Sequence, residues 1–506
     1  YIFMIKLFYR IESDYMSKKR MLIVTSVILS VVTISLGIVK LYQTYALSNY
    51  IGDDTDTGID VYINDDSYAS IPANGSSNVY YMLTNTNPGT VKYGVAYQTT
   101  SGVTVKVYDT SEDPATGTIE ENGKKYIKLH LENKNSTNKT IELSTVLGYE
   151  NGGDLVVPSG VTLVTDTYTP TAATYITNLY TSASKTAITN NSITYNTAPS
   201  VSLMNDRLGG TTTDLDGGNI RYYGASPNNY IYFNCSDYSN QASSTCETWR
   251  IIGVFDGKLK LIRGSQIGPY SWDNKNTNTG SESVYGKNDW TTARLMKLLN
   301  PSDYYEVDSN DNNLGQSLYY NSTSGKCYSS NNNATVDCNF TSTGIKNSAT
   351  RNMITETTYY LGGWNTSQIY SNLIYEYERG TKVYTDRPTT WTGKIALAYP
   401  SDYGYAADFN QCVNKQLDKY NDSTCTSNNW MKAIITNNGR NGGGWLLTPY
   451  SGNSYPVWLV ASSGSMGKST AASSYYWAVP VLYLSSELGI EPGGDGSSSN
   501  PYKLSA

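Results

Sequence analysis

The first apolar feature of the chain is an uncharged run from Met21 to Val39, preceded by Lys18, Lys19 and Arg20 and closed by Lys40. As a helix it spans about 28 Å, close to the ~30 Å hydrocarbon core of a bilayer. The basic cluster before it stays in the cytoplasm, which places everything after Lys40 outside. The pattern thus predicts an upstream or cytoplasmic segment at 1–20 with Met16 as start residue, a transmembrane signal-anchor at 21–43 and a spacer at 44–58. Thr44-Tyr45-Ala46 has small residues where a signal peptidase acts, so cleavage is the competing reading. Both readings export the remainder.

Beyond the spacer the period changes to two. Ile59/Val61/Ile63, Val103/Val105/Val107, Ile127/Leu129/Leu131, Ile141/Leu143 and Val161/Leu163 alternate with polar residues, between Asn-Gly, Pro-Gly and Gly-Gly turns. Short alternating strands at this density predict an antiparallel immunoglobulin-like β-sandwich over 59–165. His130 shares the polar parity of its strand with Lys128 and Glu132, so it is expected at the surface. From 166 to 213 Thr, Ser, Ala and Asn predominate and no period is sustained, which reads as a linker that partly packs.

From 214 to 506 the pattern predicts a larger β-rich (α+β) domain with long polar loops. Trp249–Phe255, Asp256-Gly257 and Lys258–Ile262 predict a hairpin with its turn. Trp290–Leu299 predicts a short helix; Trp445–Leu447, Val457–Val460 and Ala478–Leu484 predict strands. The fold class is therefore mainly β.

Charge and cysteine usage narrow the function. Lys+Arg 37 against Asp+Glu 43 gives net charge −6, so there is no basic field to hold nucleic acid. A single histidine leaves no multi-histidine metal site and little room for Ser/His/Asp or Cys/His nucleophiles. Six cysteines fall in three close pairs, Cys235 with Cys246, Cys327 with Cys338 and Cys412 with Cys425, each bracketing a polar loop. Local pairing has the lowest closure cost, and three local disulfides fit an exported chain.

Several motifs imitate catalytic or ligand sites. Gly464–Thr470 resembles a phosphate loop, but Ser462 stands where the first glycine belongs and a strand follows, so no nucleotide partner is expected. Asn438–Gly444 reads as a flexible turn rather than an anion nest. Asp53–Gly58 lacks later calcium ligands, and Asp308–Gly315 lacks the glycine and glutamate of a calcium loop. No cofactor is expected, with calcium at 308–315 as the weak alternative. Glu376 and Glu378 at strand spacing offer paired carboxylates for glycoside hydrolysis, though such pairs are usually a solvated face.

What remains is aromatic. Tyr 47 and Trp 9 stand against Phe 6, a bias toward rings that meet water as well as apolar partners. Tyr with Ser, Gly and Asn suits binding loops, and such rings cover the apolar face of a sugar. Tyr450, Tyr455, Tyr475, Tyr476 and Trp477 form the densest cluster, with Trp458, and are the candidate ligand-binding residues; Trp445 and Trp458 are expected in the core.

The order Arg221–Gly224, Pro227–Tyr230, Trp249–Gly253, Gly444–Leu447, Val457-Trp458, Val479–Leu484, Gly494–Gly496 and Asn500–Leu504 resembles exported proteins of low-GC Gram-positive bacteria with an uncharacterised C-terminal domain. That domain is in turn similar to C-type-lectin-like modules of the formylglycine-generating-enzyme type. The resemblance implies a lectin-like fold over 214–504 and hardly an activity; the family's arginine before the last-strand proline is Val479 here. The expectation is a non-enzymatic, membrane-anchored bacterial surface protein, an adhesin that binds a glycan or protein ligand. The alternatives are a structural envelope coat, or an extracellular glycan or cell-wall hydrolase using Asp/Glu.

Overall fold

Period-two alternation builds the first of two units, Tyr1–Thr169; the second is Pro170–Ala506. The computed structural model describes residues 68–85, 89–109, 111–148, 155, 157–207, 217–275, 280–301, 317–331, 334–436 and 442–505, with the backbone alone of 47–53. The predicted anchor, most of the spacer, the Ile59/Val61/Ile63 run and the 308–315 loop lie outside the described residues. No described helix is long and apolar enough to cross a membrane.

The first unit has strands β1 (Leu47–Asp53), β2 (Tyr68–Ile71), β3 (Gly75–Asn85), β4 (Val91–Gln98), β5 (Val103–Tyr108), β6 (Thr116–Ile119), β7 (Lys124–Asn133), β8 (Lys139–Gly148), β9 (Val161–Leu163) and β10 (Thr167–Tyr168). They form sheets β1-β3-β7-β5-β10 and β2-β8-β4-β6, with β9 also on β4. Tyr81, Leu83, Val105, Leu129 and Leu131 of one sheet pack with Tyr93, Val95, Ile141 and Leu143 of the other in a single core. The parity read from the sequence is the parity that points inward.

His130 departs from expectation. It does face away from that core, yet it is only 8% exposed. Tyr168 of β10 stacks on it at 3.6 Å between ring centres and 10° between planes. Its Nδ1 lies 2.8 Å from the Asn78 side-chain oxygen, which also accepts from the Tyr108 hydroxyl at 2.8 Å. β10 pairs parallel with β5, Tyr168 beside Tyr108, and so covers the outer face where solvent was expected.

The expected linker is also structured. Helix α1 (Ala172–Ser182) starts at Thr171, whose hydroxyl oxygen accepts from the Thr174 N–H, and buries Ala172, Ala173, Ile176 and Tyr180. Strands β11 (Thr186–Asn190), β12 (Ile193–Ala198) and β13 (Leu203–Asn205) follow and begin the main sheet of the second unit. That unit therefore starts near 170, not 214. Tyr195, Ile188 and Met204 form a small core with Tyr223, Tyr405 and Phe409, so tyrosine does the packing that an aliphatic pattern would have advertised.

The next strands are β14 (Ile220–Tyr222), β15 (Tyr230–Phe233), β16 (Glu247–Phe255), β17 (Lys258–Arg263), β18 (Gly268–Pro269), β19 (Ser324–Cys327), β20 (Val336–Asn339), β21 (Thr357–Tyr360), β22 (Thr390–Gly393) and β23 (Ile395–Ala396). Then come β24 (Gly444–Pro449), β25 (Pro456–Val460), β26 (Met466–Thr470), β27 (Trp477–Ala478) and β28 (Val481–Tyr483). The main sheet runs β11-β12-β13-β14-β16-β17-β28-β23 with β15 on β16, and a second sheet runs β18-β27-β24-β25-β26. The predicted hairpin is β16–β17. Its turn residues Asp256 and Gly257 both have positive φ, 48° and 70°, as a two-residue turn matched to strand twist requires. The predicted Trp290–Leu299 helix contracts to α2 (Arg294–Leu299); α3 (Ser371–Glu378) and α4 (Pro400–Tyr405) pack together further on. All three expected disulfides are formed, Cys235–Cys246, Cys327–Cys338 and Cys412–Cys425.

Candidate functional site

The second sheet decides which of the expected rings can act together. β24 and β25 pair antiparallel, Gly444 opposite Val460 and Pro449 opposite Val457, so Tyr450 and Tyr455 sit at the turn end of this hairpin. β26 returns along β25 with Thr470 opposite Pro456, and the Ala471 N–H donates to the Tyr455 carbonyl at 2.9 Å. The chain then crosses to the far end, where Trp477 pairs with Gly444 and its N–H reaches the Gly443 carbonyl at 2.9 Å. The five candidate residues are thus split. Tyr450 and Tyr455 stand together, Tyr476 and Trp477 stand at the opposite end, and Tyr475, 64% exposed, lies on the crossing segment. Trp445 and Trp458 are core residues as expected, at 1% and 2% exposure. Tyr476 packs edge-on against Trp445, ring centres 4.8 Å apart.

The turn end gains residues that sequence reasoning missed. Trp364 forms a parallel bridge with Tyr450, and the Ser451 N–H donates to the Trp364 carbonyl at 3.2 Å. Gly363 permits this approach, because a Cβ there would come 2.3 Å from the Pro449 carbonyl oxygen. Trp364 stacks on Tyr377 of α3, ring centres 3.8 Å apart and planes within 9°. The Lys382 ammonium is 4.0 Å from the Trp364 ring and 5.3 Å from the Tyr377 ring, which puts it beside the stack and not beyond it. On the neighbouring strand the Lys468 ammonium lies 3.5 Å from the centre of the Tyr450 ring, which meets Trp458 edge-on at 5.4 Å. The imitation phosphate loop is strand β26 here, and its lysine belongs to this aromatic ledge. Gly362-Gly363-Trp364 repeats the glycine-tryptophan step of Gly444-Trp445, a signal that could have drawn attention to it.

The turn is held from beneath. The Asn288 side-chain amide donates to the carbonyls of Tyr450, Asn453 and Pro456 at 3.0, 2.8 and 3.0 Å. Arg387 donates to the Asn288 oxygen at 3.1 Å, to the Ser454 carbonyl at 3.1 Å and to Glu282 at 2.5 Å. Tyr455 packs on Tyr285, ring centres 4.7 Å apart. Backbone carbonyls bonded to side chains of a separate loop fix the turn without reference to any ligand.

The perturbed titratable groups lie elsewhere, in the interior. Asp402 at the start of α4 accepts from Arg221 at 3.0 Å and from Lys260 at 2.5 Å, while Arg221 also pairs with Asp206 at 2.5 Å. Burial alone would raise the Asp402 carboxyl, but Lys260 and Arg221 hold it below its ordinary value. Burial pulls Lys260 down to about 8 against the attraction of Asp402. Glu378 is pushed up to about 7 by burial, although Arg379 and the Ser401 N–H and hydroxyl favour its charge. Clusters of shifted pKa mark active sites when a cleft reaches them. Here Arg221, Asp206, Lys260, Asp402 and Glu378 are all 2% exposed or less, so the network joins elements across the core. The Glu376/Glu378 pair does not form: these residues lie on helix α3, where a spacing of two diverges, with Glu376 exposed and Glu378 buried.

Among the described residues no group of three His, Cys, Asp or Glu side chains gathers as a metal ion would need. No protein-family model, curated protein or solved structure matches the chain.

Proposed function

We propose that the chain is an exported, membrane-anchored surface protein of the bacterial kind, whose second unit binds a glycan or protein ligand through its aromatic loop surface without chemical turnover. The observation that carries this reading is the ledge at the β24–β25 turn. Trp364, Tyr377 and Tyr450 come from separate segments onto one edge, with the turn pre-set by Asn288 and Arg387. Pre-set rings lose little freedom on binding, which is what recognition surfaces exploit. Three disulfides favour an oxidising compartment, and the run Met21–Val39 supplies an anchor. The finer fold assignments, immunoglobulin-like for the sandwich and C-type-lectin-like for the second unit, belong to the same proposal.

A glycan and protein array probed with the full chain tests it. Binding reduced in both Trp364→Ala and Tyr450→Ala, with unchanged melting, supports recognition. Released saccharide product would instead favour a hydrolase, and ordered self-assembly without array binding a coat protein. Protease shaving of intact cells should remove the second unit; a protected product would count against export.

A further inference from the structure

Resting on the recognition reading, we infer that the ledge formed by Trp364, Tyr377, Lys382, Tyr450 and Lys468 binds an acidic saccharide, with the stacked rings under a sugar face and the two lysines on its carboxylate.

The case begins with what the lysines lack. Lys382 and Lys468 are both exposed; Lys468 caps the Tyr450 ring and Lys382 lies at the side of the Trp364–Tyr377 stack. Neither has a carboxylate within ion-pair distance or a hydrogen-bond acceptor among the described residues. An ammonium carries three donors, so each head group keeps its N–H set for an incoming acceptor. By contrast the basic groups beneath the turn are spent. Arg387 is committed to Glu282, Asn288 and Ser454, and Lys287 pairs with Asp289 at 3.0 Å. The surplus positive charge of the turn end is thus concentrated on the two ring-bound lysines, in a chain whose net charge is −6.

Geometry divides the work. The parallel bridge between Trp364 and Tyr450 sets these two residues side by side, and each has a lysine at its ring, Lys382 at 4.0 Å and Lys468 at 3.5 Å from the ring centre. The Tyr450 ring is already capped by Lys468 at 3.5 Å, so that ring serves to place the cation. Lys382 stands beside the Trp364–Tyr377 stack rather than capping it, and both rings are partly exposed. A pyranose offers both complements at once: an apolar face of C–H groups for a ring and, in a uronic acid, a carboxylate at its margin. A neutral sugar would use only half of this surface. A free carboxylate would use only the other half.

The test is a binding titration of the full chain with oligogalacturonate, its methyl ester and neutral galacto-oligosaccharide of the same length, at low and high salt. The inference expects the acid to bind at least tenfold tighter than its ester, with affinity falling as salt rises. Lys382→Gln with Lys468→Gln should abolish that preference while leaving circular dichroism and melting unchanged. Trp364→Tyr should retain more binding than Trp364→Ala. Equal binding of ester and acid, insensitive to both lysine changes, overturns the acidic-sugar inference and leaves saccharide recognition standing. Binding of none of the three probes, with the array above also silent, overturns both.

Discussion

Replacing His130 by glutamine measures what keeping this ring buried costs as the pH falls. The imidazole is stacked under Tyr168, bonded to Asn78 and only 8% exposed. Burial brings it down to about 4, Lys106 acts in the same sense, and Glu132 opposes both. Lys128 is a further charged neighbour on the same strand, and the Tyr108 and Tyr168 rings enclose the imidazole. Because the folded value lies below the ordinary 6.5, the unfolded chain takes up a proton first. Stability is then complete above pH 6.5 and is lost as the pH falls toward 4, at about 1.4 kcal/mol per pH unit and at most about 3 kcal/mol in all. Glutamine can donate to Asn78 but cannot charge. Urea titrations of the full chain, read by pulse-labelled hydrogen exchange in peptides covering β7 and β8, should give a steeper decline for wild type than for H130Q across this window. Parallel declines would refute the argument, since the shared carboxylates then account for all of the pH dependence.

The interior network and one disulfide of the second unit give three more tests, all readable by tryptophan fluorescence because every tryptophan lies beyond residue 230. Asp402→Asn leaves Lys260 and Arg221 without their shared counter-charge and should cost about 3–5 kcal/mol in urea unfolding; a loss below about 1 kcal/mol would show that the pair is dispensable. Glu378 has its folded value raised above 4.5 to about 7, so its contribution is present at low pH and lost as the pH rises through 7. Between pH 4.5 and 8, wild type should therefore lose stability relative to Glu378→Gln, and equal slopes would contradict this. Cys412→Ser with Cys425→Ser opens a fully buried crosslink and should lower stability by about 3 kcal/mol, seen as a reduced melting temperature; an unchanged melt would place the staple outside the cooperative unit.

Strand parity in the sandwich was legible in β5, β7 and β8 because alternate positions there are aliphatic, whereas β3 packs Tyr81 inward and sets Tyr80 and Met82 on its other face. The cysteine pairs were legible because short separations leave few economical alternatives. Residues 172–205 were not, since their core positions are Ala172, Ile176, Tyr180, Tyr195 and Met204 among many Thr and Asn. A periodicity carried by tyrosine looks like surface until a second tyrosine layer covers it. His130 failed in the same way: its side chain leaves the strand on the face away from the core, but the two-residue strand β10 that covers it lies too short and too far along the chain to be seen. The ring cluster was half legible. Tyr450 and Tyr455 flank a turn in the sequence, whereas Trp364, Tyr377 and Lys382 reach them only through tertiary folding.

The segment from Ala471 to Trp477 is fastened at both ends by main-chain groups, to Tyr455 and Tyr285 at one end and to Gly443 at the other. Such fastenings do not depend on which side chains lie between them. Between the buried Ala472 and the Tyr476 ring packed on Trp445, only Ser473, Ser474 and Tyr475 can therefore change their letters over generations while those fastenings keep the scaffold as it is.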